Sequence, residues 1–113
     1  MAVGSEALAR ILAEARAEYR RTLPGKLAQI EGLWLAQQTG GMLPGEKFEE
    51  LKRLVHALAG SAGTFGLPGV SEAARALELM ISPADGPAAG VPVEQVEVVD
   101  KLLEALRRSV DID

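Results

Sequence analysis

The sequence contains no cysteine and only one histidine in 113 residues. The first absence excludes a disulfide framework, a thiolate zinc site and a cysteine nucleophile. The second excludes a multi-histidine metal site within a single chain. Basic residues are the minority, 12 against 16 acidic, giving a formal net charge of −4. That balance argues against non-specific nucleic-acid binding, which needs a basic footprint. No uncharged apolar run approaches the ~18 residues of a membrane span, and Met1 to Leu8 lack the basic and apolar regions of a signal peptide. No membrane association and a cytoplasmic location are therefore expected. There is also no Walker-type glycine loop, and the chain is too short to hold a nucleotide-binding domain. No repeat of 20–50 residues and no low-complexity tract appear.

What is present points to helix. Hydrophobic residues make up 48% of the chain and charged residues 25%, with aromatics at only 4% and Ala, Leu, Glu and Arg abundant. The length suits one domain over residues 1–113. Ser5 is a candidate cap for a first helix, whose apolar positions Leu8, Ile11, Leu12, Ala15 and Tyr19 recur at helical spacing. Pro24 interrupts the pattern, and Leu27, Ile30, Leu33 and Trp34 resume it up to Gly40-Gly41. Spacing alone leaves open whether Leu8 to Gln38 is two helices or one kinked helix.

A better-marked helix starts near Pro44 and stops at Gly66, with Pro68 beyond it. Phe48, Leu51, Val55, Leu58, Ala62 and Phe65 form its buried seam. Another helix begins around Pro68 and carries Val70, Ala73, Leu77 and Met80 or Ile81. Ser82 to Pro92 is rich in Pro and Gly and reads as a surface loop. A last helix carries Val93, Val96, Val99, Leu103, Leu106 and Val110. The expected fold is all-α: an up-and-down antiparallel four-helix bundle with an N-terminal helical extension and a central hairpin over about residues 44–82. Trp34 and Phe48 are expected in the core or half-buried at its edge, Glu49 and Glu50 on a charged helix face, and Asp111 to Asp113 in a solvated terminus.

The histidine lies in "VHALAGSAGTFGLPG", Val55 to Gly69. On a helical wheel His56 points roughly 125° from the centre of the apolar seam, towards solvent. Glu49, Lys52, Arg53, Ala59, Gly60 and Gly63 share its side. Gly60 and Gly63 together forgo on the order of 1–2 kcal/mol relative to alanine in a helix interior. Close packing by another helix would explain them, but they lie away from the seam. Clearance for something approaching the imidazole from outside explains them better.

His56, Leu58, Gly60, Ser61 and Gly66, followed by Leu77-Glu78, make this stretch resemble the signature of histidine-containing phosphotransfer (HPt) domains of bacterial two-component phosphorelays. The resemblance implies that His56 is the phospho-acceptor, exchanging a phosphoryl group with aspartates of response-regulator receiver domains, and that a sensor or hybrid histidine kinase lies upstream. It implies a phosphohistidine carrier rather than an autonomous catalyst, with no cofactor or metal of its own and with Mg²⁺ on the partner receiver. Imidazole suits the task, since its neutral form is a good nucleophile. The family usually has lysine three places after the histidine, where this chain has Ala59. Lys52 and Arg53, four and three residues before His56, could supply the charge instead.

Glu78 suits an orienting role behind the imidazole. His56 precedes Leu67 by 11 residues and Glu78 follows it by 11, so an antiparallel hairpin sets them at one height. An exposed carboxylate paired with Arg75 is the competing reading of Glu78. Lys52, Arg53, Ala59, Gly60 and Gly63 are expected to face the phosphoryl group or the partner. Ala59 also leaves room for a helical module that binds a receiver or kinase without being phosphorylated. Met1 and a full bundle favour a free-standing protein, and a monomer is expected.

Overall fold

The computed structural model describes residues 2–40, 45–81 and 93–112, and leaves the side chains of 2–3, 37–40, 45–48 and 93–95 aside. The loop expected over Ser82 to Pro92 and the side chain of Phe48 therefore lie outside the described residues. Among those residues there are four helices and no strand: α1 (Ala2–Gly40), α2 (Gly45–Thr64), α3 (Pro68–Ile81) and α4 (Val93–Ile112). α2 packs most extensively on α3 and α3 on α4, while α1 closes the bundle with lighter contacts to α2 and α4. Neighbours run antiparallel. Tyr19 of α1 stacks on Phe65, next to the C-terminus of α2, and Trp34, fifteen residues on, bonds Asp100 near the start of α4.

The buried side chains are those at helical spacing. Ile30, Trp34, Leu51, Leu77, Ile81, Val99 and Leu103 converge from all four helices, and Leu23, Val55, Val70 and Leu106 are at most 1% exposed. α1 settles the question raised by Pro24: one helix runs through it. Proline forfeits a helix hydrogen bond and crowds the preceding turn, at about 3 kcal/mol. On either side of it, Tyr19 and Leu23, then Leu27, Ile30 and Trp34, all lie in the core. Each such burial contributes roughly 1.5–3 kcal/mol, so holding the stripe in one phase outweighs the proline. Ser5 lies inside α1 rather than capping it, because the turn that begins at Ala2 is already helical.

The N-terminal extension is the first part of α1. At 1.5 Å per residue α1 is about 58 Å long and α2 about 30 Å, and the molecule's longest dimension is 57 Å. Leu8, Ile11 and Leu12 project beyond the α2–α3 turn, each more than half exposed. Arg16 fixes where the projection begins: its Nε donates to the Phe65 carbonyl at 2.9 Å.

The α2–α3 turn is built by its glycine. Gly66 has φ +74°, a left-handed conformation that costs other residues about 1–2 kcal/mol. It allows the Gly66 N–H to reach the Gly63 carbonyl and the Leu67 N–H to reach that of Ala62, the paired closure of a Schellman motif. Leu67 and Ala62 are both buried, which supplies the apolar contact of that motif. Pro68 then opens α3, in the first turn, where its missing N–H is no loss.

Candidate functional site

His56 stands on the rim between α2 and α3 with 77% of its side chain exposed. Its Nδ1 meets Oε2 of Glu78 on α3. A carboxylate only accepts hydrogen bonds, so Nδ1 carries the proton and donates it. Nε2 takes no part in this bond, and the ring that carries it is mostly exposed. Glu78 is the more covered partner, at 24% exposed, and among the described residues no ion pair joins it to Arg75. The counting argument about Leu67 thus predicts the right height, and the structure adds the right face.

The other expected residues divide. Arg53 is exposed, whereas the Lys52 side chain is only 16% exposed and its Nζ sits 3.2 Å from Glu49 Oε1. Gly60 is exposed, and a methyl group added to it would meet nothing within 4 Å. Gly63 is different: an added Cβ would lie 3.3 Å from Ser71 Oγ of α3. Both glycines are exposed, but open space on the Cβ side describes Gly60 alone, since at Gly63 that side meets Ser71.

Ala59 is a correction. Expected to face the phosphoryl group or the partner, it is 3% exposed and belongs to the core. Its carbonyl accepts the Ser71 hydroxyl of α3 at 2.8 Å. The wheel misplaces it because the apolar seam marks only part of the buried face of α2. α3 lies against the flank of that face, and a side chain as small as alanine carries no sign of which neighbour covers it.

Two further contacts were not apparent from the sequence. The Tyr19 hydroxyl bonds Ser61 Oγ, and Ser61 in turn donates to the Ala57 carbonyl at 2.8 Å. These bonds tie α1 to α2 one and a half turns below His56. Ser71 is the other, a buried polar residue on α3. Its sequence signal is positional: it precedes Glu78 by seven residues as His56 precedes Gly63 by seven.

A family model described as Hpt domain matches residues 14–109, most of the chain. The chain belongs to the Hpt domain family. Comparison with curated proteins and with solved structures gives no match. Membership means histidine phosphotransfer in two-component phosphorelays, carried on a helical bundle that acts as a phosphohistidine carrier. The matched span of this Hpt domain includes His56, Glu78 and the hairpin that joins them. Members of the family interact in general with receiver domains and histidine kinases. Among the described residues no group of three or more His, Cys, Asp or Glu could hold a metal, and no helix is long and apolar enough to cross a membrane.

Proposed function

We propose that this Hpt domain accepts a phosphoryl group on Nε2 of His56 from an aspartyl phosphate of a receiver domain and returns it to such an aspartate. The observation that carries the reading is the pairing of an exposed imidazole with a carboxylate at Nδ1. In the forward step the Nε2 lone pair attacks phosphorus. The P–O bond to the aspartate breaks, and its electron pair stays on the departing carboxylate. The ring becomes cationic with its proton still on Nδ1, and the negative charge of Glu78 faces that proton. The orientation and charge offset follow the logic of a carboxylate behind a catalytic histidine. The reverse step retraces the same bonds.

The chain supplies the reactive atom, its tautomer and open space at Gly60. Mg²⁺ and most of the electrostatic stabilisation of the transferring group belong to the receiver. Arg53 is the cation best placed to meet the incoming phosphoryl oxygens. Lys52 contributes less, since its ammonium is already engaged by Glu49.

The test is incubation with a phosphorylated receiver, followed by acid and alkali treatment of the transferred label. The wild-type protein is expected to gain an acid-labile, alkali-stable label, as phosphohistidine requires. A protein that gains none is a receiver- or kinase-binding module without transfer. In the same assay Glu78→Ala is expected to slow labelling by roughly 10- to 100-fold, as loss of an outer-shell orienting partner does; unimpaired labelling removes the orienting role. The double charge reversal Lys52→Glu/Arg53→Glu is expected to slow it as well, and a wild-type rate would show that the receiver needs no cation from this face.

A further inference from the structure

We propose that Gly63 and Ser71 form a spacer that fixes the separation of α2 and α3, and that through it both act as positioning residues for the His56–Glu78 pair. The inference rests on the phosphotransfer reading and deepens it.

The hairpin has one register about Leu67. Gly63 and Ser71 lie four residues to either side of it, and His56 and Glu78 lie eleven. On each helix the two positions are seven residues apart, two turns, and so share a face to within about 20°. The contact at the lower rung is tight. Ser71 is 7% exposed, donates to the Ala59 carbonyl at 2.8 Å, and sets its Oγ 3.3 Å from where a Cβ of residue 63 would be. Gly60, one turn away, meets nothing within 4 Å. A side chain at 63 would thus press on α3 by a few tenths of an ångström, and one at 60 would not.

At the upper rung the packing lies on the inner side only, where Leu51, Val55 and Leu77 are buried. His56 is mostly exposed, and its side chain meets α3 through the bond to Glu78. The spacing on this outer rim is therefore set jointly by that inner core and by the contact below it. For a rigid tilt of α3 about the Leu67 turn, a displacement at residue 63 grows with distance from it. Four residues of rise are about 6 Å and eleven about 16.5 Å. A displacement of a few tenths of an ångström at Gly63 therefore becomes nearly 1 Å at His56. That is enough to carry a hydrogen bond out of its working range, and a misplacement of this size in a reacting group can slow a reaction about 100-fold.

The test uses three folded variants: Gly63→Ala, Gly63→Val, and the compensated Gly63→Ala/Ser71→Gly, in which the hydroxymethyl group opposite the added Cβ is removed. Alanine is the better helix former, so Gly63→Ala keeps the fold even if valine disturbs it. The first readout is the ¹⁵N spectrum of the His56 ring. In the wild-type protein the Nδ1–H tautomer should dominate. In Gly63→Ala part of the population should move to Nε2–H, the form favoured by an imidazole without its carboxylate, and Gly63→Val should move further. The compensated variant should return towards wild type. The second readout is the transfer rate, expected to fall in the same order by on the order of 10- to 100-fold and to recover in the compensated protein.

Unchanged tautomer populations in Gly63→Ala, with helix content intact, would overturn the spacer. So would a loss that the Ser71→Gly change does not repair. The ring spectrum is independent of phosphorylation. If the wild-type protein takes no label but its tautomer responds to Gly63, the function reading fails and the spacer stands.

Discussion

A His56→Gln protein is expected to take no acid-labile phosphoryl group from a phosphorylated receiver, while its helix content and unfolding midpoint stay those of the wild type. Loss should be complete because the sequence has no second histidine to receive the group. Glutamine removes the reactive atom, since its amide nitrogen has no available lone pair. The same amide can still donate to Glu78 and keep that half-covered carboxylate partnered. His56 is 77% exposed, and substitutions at such surface positions usually change stability by less than about 0.5 kcal/mol. The measurement pairs a labelling assay with circular dichroism. A His56→Gln protein that retained acid-labile label would defeat the assignment of the carrier atom.

The second large effect concerns the fold. Trp34→Ala is expected to destabilise the bundle by about 3–5 kcal/mol, the usual cost of truncating a buried tryptophan. Trp34 is 3% exposed and shares the central space with side chains from the other three helices. Its Nε1 donates to Asp100 Oδ1 at 2.7 Å, a side-chain bond between the lightly joined α1 and α4. Domains of this size have total stabilities of only about 5–15 kcal/mol, so the variant should lie near its unfolding threshold. Urea denaturation gives the difference, and Trp34→Phe separates the terms. It keeps most of the volume and loses the bond, whose partner is exposed and can be hydrated, so about 1–2 kcal/mol is expected. A midpoint for Trp34→Ala equal to that of the wild type would mean that α1 and α4 are held together by something other than this side chain.

Much of the fold was legible because helical burial leaves a periodic trace. Leu51, Val55, Leu58 and Ala62 sit at 3.6-residue spacing and all are buried, and the glycine–proline punctuation at Gly66 and Pro68 marks the turn that the structure contains. Pro24 was ambiguous for a physical reason. The local cost of proline is visible in sequence, whereas the burial that offsets it depends on α2 and α4 being in place. The projection of α1 was hidden likewise: Leu8, Ile11 and Leu12 repeat like core residues, but the helix that would cover them stops at Thr64.

For the site, the sequence by itself determined three things: the candidate nucleophile, as the only histidine; its outward direction, from the phase of the apolar seam; and the height of Glu78, from equal counts about Leu67. These are one-dimensional quantities, set by residue type, period and distance along the chain. Only the tertiary structure decided which small residues face a neighbour and which face solvent. Ala59, Gly60 and Gly63 look alike in sequence, yet one is core, one has open space where a side chain would go, and one has Ser71 there. A residue with almost no side chain has no hydrophobic or polar preference to reveal its surroundings, so its role is set by the helix that lies across from it.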